Sequence, residues 1–245
     1  EENLQPKEGD ELPSWMVQDG VVKWRKVPAI DGAKDAEFVG VDWEALQDHW
    51  GWAGGFYIAY AYTEIEVAQA SRALAVAERV SSFQINGMPY PGDIYGHKFL
   101  RVPVELKAGK NRILIRFGRG DRINFVFRLE PVTSDLIALP GDLTYGNPVV
   151  GSPLDILAAV PVVNTTEEFI TDGAIRLTWA VAKQAQSVRK DLPMLAPYSV
   201  FKPYVWLRSS LPISESDLVQ KSLPVKVELM RGDRVVAAEE VRLRA

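Results

Sequence analysis

Three consecutive stretches between Leu100 and Leu129 alternate apolar with mostly polar residues. Side chains on a strand point alternately to opposite faces, so each stretch predicts a strand with one apolar face. Glycine-containing turns at 108–111 and 118–121 separate the stretches, which together predict an antiparallel meander. The apolar positions are Leu100, Val102, Val104, Leu106, Ile113, Ile115, Phe117, Ile123, Phe125, Phe127 and Leu129.

The residues before this region also favour strands. Phe56 to Val67 is rich in aromatic and β-branched residues and predicts a long strand. Ala68 to Arg79 is ambiguous, because its alanines favour a helix while Leu74 and Val76 fit the period of a strand. We favour a loop followed by a strand. Asn86-Gly87 is a hairpin-type turn.

Glycine and proline are concentrated between Glu130 and Pro153, which predicts a domain boundary. We place it so that the domains comprise residues 1–133 and 134–245. About seven strands in the second domain, one carrying the central Trp179, indicate an immunoglobulin-like β-sandwich. Trp179 should be buried, because it shares one strand face with three apolar residues: Ile175, Leu177 and Val181.

Charge and composition exclude several functions. The net charge of −4 and the absence of any Lys/Arg run argue against nucleic acid as a partner. No apolar run approaches the roughly 20 residues of a membrane span. The chain has no cysteine, which rules out disulfides and thiolate chemistry, and its two histidines cannot form a His-rich metal site.

Catalytic motifs are missing from the sequence. There is no Gly-x-Ser-x-Gly nucleophile elbow, no phosphate-binding glycine motif and no His-Glu-x-x-His zinc motif. Paired carboxylates could serve glycoside hydrolysis, but nothing distinguishes two of the 32 acidic residues from the others. We therefore expect this chain to have no enzymatic activity of its own.

Aromatic residues near glycines are the best candidates for a binding site. Trp50 and Trp52 lie in a glycine-rich segment, and Tyr90, Tyr95 and His97 lie in a predicted loop from Gly87. Exposed rings of this kind stack on sugars. The alternative, which we favour for Trp50 and Trp52, is that they are core or interface residues, because tryptophan is buried on average.

Asp93 lies in the same predicted loop and is the remaining candidate binding residue. Its carboxylate suits Ca²⁺ at the rim of a loop, but a single carboxylate does not define a calcium site. The sequence therefore predicts no cofactor.

The residues from Val80 to Ile113 resemble a family signature. They contain Phe83-x-Ile85-Asn86-Gly87, Gly92-Asp93-x-Tyr95 and Val102-Pro103-Val104-x-Leu106-Lys107-x-Gly109-x-Asn111. This pattern is similar to galactose-binding-like jelly rolls, and the resemblance implies a jelly roll for residues 1–133. Together with Trp43-Glu44-Ala45-Leu46 and Gly51-Trp52-Ala53-Gly54, it resembles the N-terminal β-sandwich region of secreted bacterial prolyl-oligopeptidase-like α/β-hydrolases.

That resemblance implies an all-β accessory region whose partner is a C-terminal α/β-hydrolase domain of the same polypeptide. The family's catalytic Ser, Asp and His lie in that domain, so no catalytic residue is carried over to this chain. The resemblance also implies a secreted or periplasmic protein, of which this chain would be one piece. The alternative is a carbohydrate-binding module that holds a glycan through its loop aromatics.

Overall fold

The computed structural model describes residues 4–27, 33–37, 40–51, 58–118, 122–132 and 134–245, with backbone alone for 33–37 and 122–124. The chain is all-β and divides into two compact units, Glu1–Pro131 and Val132–Ala245. Among the described residues, no helix is both long and apolar enough to span a bilayer.

The described residues of the first unit form ten strands and one short helix. Its elements are β1 (Glu11–Pro13), β2 (Val21–Lys23), β3 (Ala33–Glu37), α1 (Trp43–Trp50), β4 (Ala59–Val67), β5 (Ser71–Glu78), β6 (Ser82–Ile85), β7 (Met88–Pro91), β8 (Val102–Leu106), β9 (Gly109–Phe117) and β10 (Arg122–Pro131).

Strands β3 to β10 form two four-stranded antiparallel sheets, in the orders β3-β10-β5-β8 and β4-β9-β6-β7. This is the strand order of an eight-stranded jelly roll, while β1 and β2 form a separate hairpin. The predicted meander is wrong, because β8 and β10 lie in one sheet and β9 lies in the other. A period of two places side chains on faces, but it does not identify the neighbouring strand.

The core of this jelly roll lies between the two sheets. The predicted apolar positions of β8 and β9 are buried, and Phe83 of β6 packs with them. In β5 both faces are buried, so that Leu74 and Val76 are covered as fully as the alanines that alternate with them. Ala68 to Arg79 is thus a bend followed by a strand, as favoured from the sequence.

Two left-handed residues close the β6–β7 hairpin, Asn86 with φ 53° and Gly87 with φ 85°. This matches the expected Asn-Gly turn, since two-residue hairpins of this type require positive φ at both central positions. The segment from Gly87 onward is not all loop as predicted, because Met88–Pro91 forms the edge strand β7. Its two prolines suit an edge, where no ladder donor is needed.

Helix α1 was not predicted from the sequence. Asp42 caps it by accepting a hydrogen bond from the Ala45 N–H at 3.0 Å. Trp43, Leu46 and Trp50 follow at the helical spacing and form one apolar stripe. Trp43 packs on the core of the jelly roll, whereas Trp50 at the last turn is exposed.

In the second unit, the described residues 134–245 form ten strands. They are β11 (Leu136–Ala138), β12 (Thr144–Tyr145), β13 (Pro153–Ala159), β14 (Val162–Asn164), β15 (Gly173–Val181), β16 (Gln184–Asp191), β17 (Val200–Phe201), β18 (Tyr204–Pro212), β19 (Ser222–Arg231) and β20 (Arg234–Arg244).

A four-stranded sheet of order β16-β15-β19-β20 forms one layer of this unit. The short sheets β12-β13-β18 and β11-β14-β17 supply the other side of the core. The chain passes directly from one short sheet to the other at two places, since β13 leads into β14 and β17 leads into β18. The predicted strands over 159–163 and 200–207 are therefore each split, at Pro161 and Pro203, where a ladder donor is missing.

Trp179 lies on β15 and is 5% exposed. The three residues predicted to share its face, Ile175, Leu177 and Val181, are buried in the same core. The burial expected for this tryptophan is confirmed, and a buried tryptophan on a central strand is typical of immunoglobulin-like sandwiches.

Candidate functional site

The side chain and backbone of Asp93 hold the loop after β7 in place through hydrogen bonds. Its side chain is buried, and its Oδ2 accepts the Lys98 N–H at 2.7 Å, closing the loop after β7. Its backbone bonds to Ala77 and Arg79 of the neighbouring sheet segment. Among the described residues, no group of three or more His, Asp or Glu side chains could hold a metal ion. Asp93 thus pins the loop to the jelly roll.

At Gly92 the chain passes very close to the backbone of Val80. A Cβ at position 92 would lie 2.1 Å from the Val80 carbonyl oxygen. Only glycine allows that approach, and the Gly92 N–H donates to the Ser81 carbonyl at 3.3 Å. The Gly-Asp pair of the sequence signature therefore fixes the base of the aromatic loop.

Tyr90 belongs to the sandwich more than to an open platform. It lies on β7, and its ring stacks on Phe83 with centroids 5.1 Å apart and planes 16° apart. Burial raises the pKa of the Tyr90 hydroxyl. Its ring is largely committed to intramolecular packing.

Tyr95, His97 and Phe99 form a row of rings along the loop after Asp93. The centroids of Tyr95 and His97 are 5.8 Å apart, and those of His97 and Phe99 are 5.5 Å apart with planes inclined by 13°. Tyr95 is 74% exposed at the end of the row. Since neighbouring rings cover each other, the open ring surface of this row lies mainly on Tyr95.

Trp50 is 55% exposed, so of the two positions favoured from the sequence, core or interface, it does not occupy the core. It contacts Trp15 edge-on, with centroids 6.3 Å apart and planes at 70°, and His49 lies 4.7 Å from it. Trp52 lies outside the described residues. The aromatic candidates thus fall into separate groups: Tyr90 in the sandwich, Tyr95 with His97, and Trp50 with Trp15.

Trp15 was not among the sequence candidates. It lies in the turn between β1 and β2 and is 67% exposed. A signal was present, since a tryptophan followed by Met16 and Val17 just before the turn residues Asp19-Gly20 is unusually apolar for a hairpin loop. Its proximity to Trp50 depends on the fold and could not be read from spacing.

A second exposed aromatic group, also missed from the sequence, lies on β18. Tyr204 and Trp206 are two residues apart, so they lie on the same face of the strand, and each is about half exposed. The Lys190 Nζ lies 3.7 Å from the Tyr204 ring centroid, and the Arg208 guanidinium lies 4.8 Å from that of Trp206. Each ring therefore already has an intramolecular cation against it.

Three titratable groups have well-defined surroundings in the described part of the chain. His49 contacts the Trp50 ring, and His97 contacts the rings of Tyr95 and Phe99. The buried carboxylate of Glu228 bonds to Arg176 and Lys226, each at 2.7 Å, and these cations hold its pKa below its usual range. Such a carboxylate stays ionised and is a poor proton donor.

Comparison with protein-family models finds no match, and neither does comparison with curated proteins. Solved structures that match part of the chain include the following three proteins. A protein described as a β-galactosidase of Bacteroides fragilis matches 77% of this chain over 32% of its own, at 13% identity and TM-score 0.42. A variant of Bacteroides uniformis β-glucuronidase 2 matches 76% over 26%, at 11% identity and TM-score 0.44.

A glycosyl hydrolase family 2 member of Bacteroides cellulosilyticus matches 77% of the chain over 28% of its own, at 15% identity and TM-score 0.39. None of these three is a prolyl-oligopeptidase-like enzyme. The chain spans about a quarter to a third of the length of these structures.

Proposed function

We propose that this chain is a non-catalytic β-sandwich region of a larger secreted bacterial hydrolase. The proposal rests on the hydrogen bonds that the signature residues make within the fold. Asn86, Asp93 and Asn111 all hold turns of the jelly roll through hydrogen bonds to backbone or to each other. These residues serve the fold, which suits a module that positions substrate, shields an active site or holds an assembly together.

The catalytic partner in this proposal is an α/β-hydrolase domain of the same polypeptide, as the sequence resemblance implies. Its signature would be Gly-x-Ser-x-Gly followed by an Asp and a His. Sequencing of the coding region beyond codon 245 tests this part directly. A glycoside hydrolase domain there would change the class of the partner while leaving the accessory role in place.

The absence of intrinsic activity is tested with the purified chain. We expect no turnover of p-nitrophenyl esters, prolyl amides, or p-nitrophenyl β-galactoside and β-glucuronide. Turnover that persists through repurification and is abolished by substitution of one serine or one carboxylate would overturn the proposal.

A second candidate function is glycan recognition. One observation favours it: Trp50 is 55% exposed, although a tryptophan at the end of an apolar helix stripe would ordinarily be covered. Exposed indoles on a module of this kind are suited to stack on the C–H faces of sugars.

A further inference from the structure

Trp15 and Trp50 are brought together from two separate elements of the first unit. Their ring centroids are 6.3 Å apart, and the rings are 67% and 55% exposed. In the described part of the chain, neither indole N–H has a hydrogen-bond partner. Two adjacent exposed tryptophans form a contiguous apolar surface, and such surfaces are often interaction sites.

The backbone under both rings is fixed. Met16 and Trp43 pack on the core of the jelly roll, and they lie one and seven residues from the two exposed rings. Val17 and Val41 form an isolated antiparallel bridge that ties the β1–β2 turn to the start of the helical segment. The backbone that carries the two rings is therefore held in place, which lowers the entropy lost when a ligand binds.

The area of the pair indicates the size of its ligand. A tryptophan offers about 150–250 Å² of surface, so two rings at these exposures provide on the order of 200–300 Å². A stable protein–protein interface needs about 800 Å² from each partner. The Trp15–Trp50 surface is thus too small for a protein partner by itself, and it fits one or two sugar rings.

The charge around the pair indicates which sugars fit. Helix α1 carries Glu44 and Asp48 but no Lys or Arg, and the segment 13–20 carries Asp19 and no Lys or Arg. The carboxylates of Glu44, Asp48 and Asp19 repel uronic acids and sulfated sugars, and Lys23, whose charge interacts with Asp19, is already paired with Glu11 at 2.9 Å. The indole N–H groups and the His49 imidazole, whose ring centroid lies 4.7 Å from that of Trp50, can bond to neutral hydroxyl groups.

We propose that Trp15, His49 and Trp50 form a binding site for neutral pyranose units of a glycan. This inference rests on the second candidate function, glycan recognition. The proposal places glycan binding at these three residues of the first unit. It does not place glycan binding at the Tyr95 row or at the Tyr204–Trp206 face.

Affinity electrophoresis of the full chain tests the site. Native gels contain galactomannan, xyloglucan or mixed-linkage β-glucan as neutral probes, and polygalacturonate as the anionic probe. We expect retardation by at least one neutral gel and none by polygalacturonate. Trp15→Ala and Trp50→Ala should each weaken it about tenfold, and Trp50→Phe, which keeps a ring, should weaken it less.

Trp206→Ala is the matched control, because it removes an exposed tryptophan of the second unit. It should leave retardation unchanged, and circular dichroism should show all variants folded. If no gel retards the unmodified chain, both glycan recognition and the proposed site are rejected. Retardation that persists in the Trp15 and Trp50 variants would reject the site alone. Retention by polygalacturonate only would reject the neutral class of ligand.

Discussion

The side-chain amide of Asn86 donates a hydrogen bond to the Oδ1 of Asn111 at 2.9 Å and thereby joins two turns of the jelly roll. The same Oδ1 accepts the Lys107 N–H, while the Asn111 Nδ2 donates to the carbonyls of Lys107 and Gly109. Asn86 in turn accepts the Arg112 N–H. Asn111 is fully buried. The two sequence motifs Asn-Gly and Leu-Lys-x-Gly-x-Asn are thus joined in the structure by one hydrogen-bonded network.

Substitution of Asn111 by Ala should lower the free energy of unfolding of the first unit by about 2–4 kcal/mol, because the buried amide of Asn111 is lost and part-buried backbone groups of Lys107 and Gly109 lose their partner. Urea unfolding followed by circular dichroism measures the effect. Gln69→Ala is the control, since it removes an exposed side-chain amide from the same unit. An equal, small effect of both substitutions would show that the network contributes little.

The strands could be predicted from the sequence better than their arrangement. Alternation placed Val104 and Ile115 correctly in the core, but their strands lie in different sheets, because a face does not specify a neighbour. Helix α1 was missed because eight residues give a weak periodic signal beside strong strand patterns. The pairing of Trp15 with Trp50 arises only from the tertiary fold, across 35 positions of the chain.

Trp179 allows packing and hydrogen bonding to be separated. Its Nε1 is buried and, within the described chain, has no hydrogen-bond partner. Trp179→Ala should cost about 3–5 kcal/mol through the cavity it leaves. Trp179→Phe should cost less than about 2 kcal/mol, because it also removes an unsatisfied donor. Urea unfolding of both variants, with Trp206→Ala as the exposed control, measures the difference. A loss below about 1 kcal/mol for Trp179→Ala would contradict its burial.

Glu228 should make stability dependent on acid pH. The bonds from Arg176 and Lys226 hold its pKa in the folded chain below the value in the unfolded chain. Its contribution is therefore present above the unfolded-state pKa and is lost as the pH falls through the lower folded-state value. Glu228→Gln should destabilise the chain at pH 7 and less at pH 3.

Chemical unfolding at several pH values between 7 and 3 measures this contribution. Glu240→Gln is the matched control, because its carboxylate is exposed on β20 and lies 3.6 Å from Arg242. The control should shift stability only slightly at any pH, since exposed pairs contribute little. A Glu228→Gln effect of the same size at pH 7 and pH 3 would mean that packing, and not charge, accounts for it.

The two units should fold independently. The division at Pro131 and Val132 leaves each unit its own hydrophobic core, and a domain with its own core can in principle fold alone. A fragment of residues 1–133 should therefore be soluble, with a β-type circular dichroism spectrum and dispersed amide resonances. The complementary fragment, residues 134–245, should behave alike, and Trp179→Ala should destabilise it as it does the full chain. If residues 1–133 are unfolded alone while the full chain is folded, the first unit depends on the second for its stability.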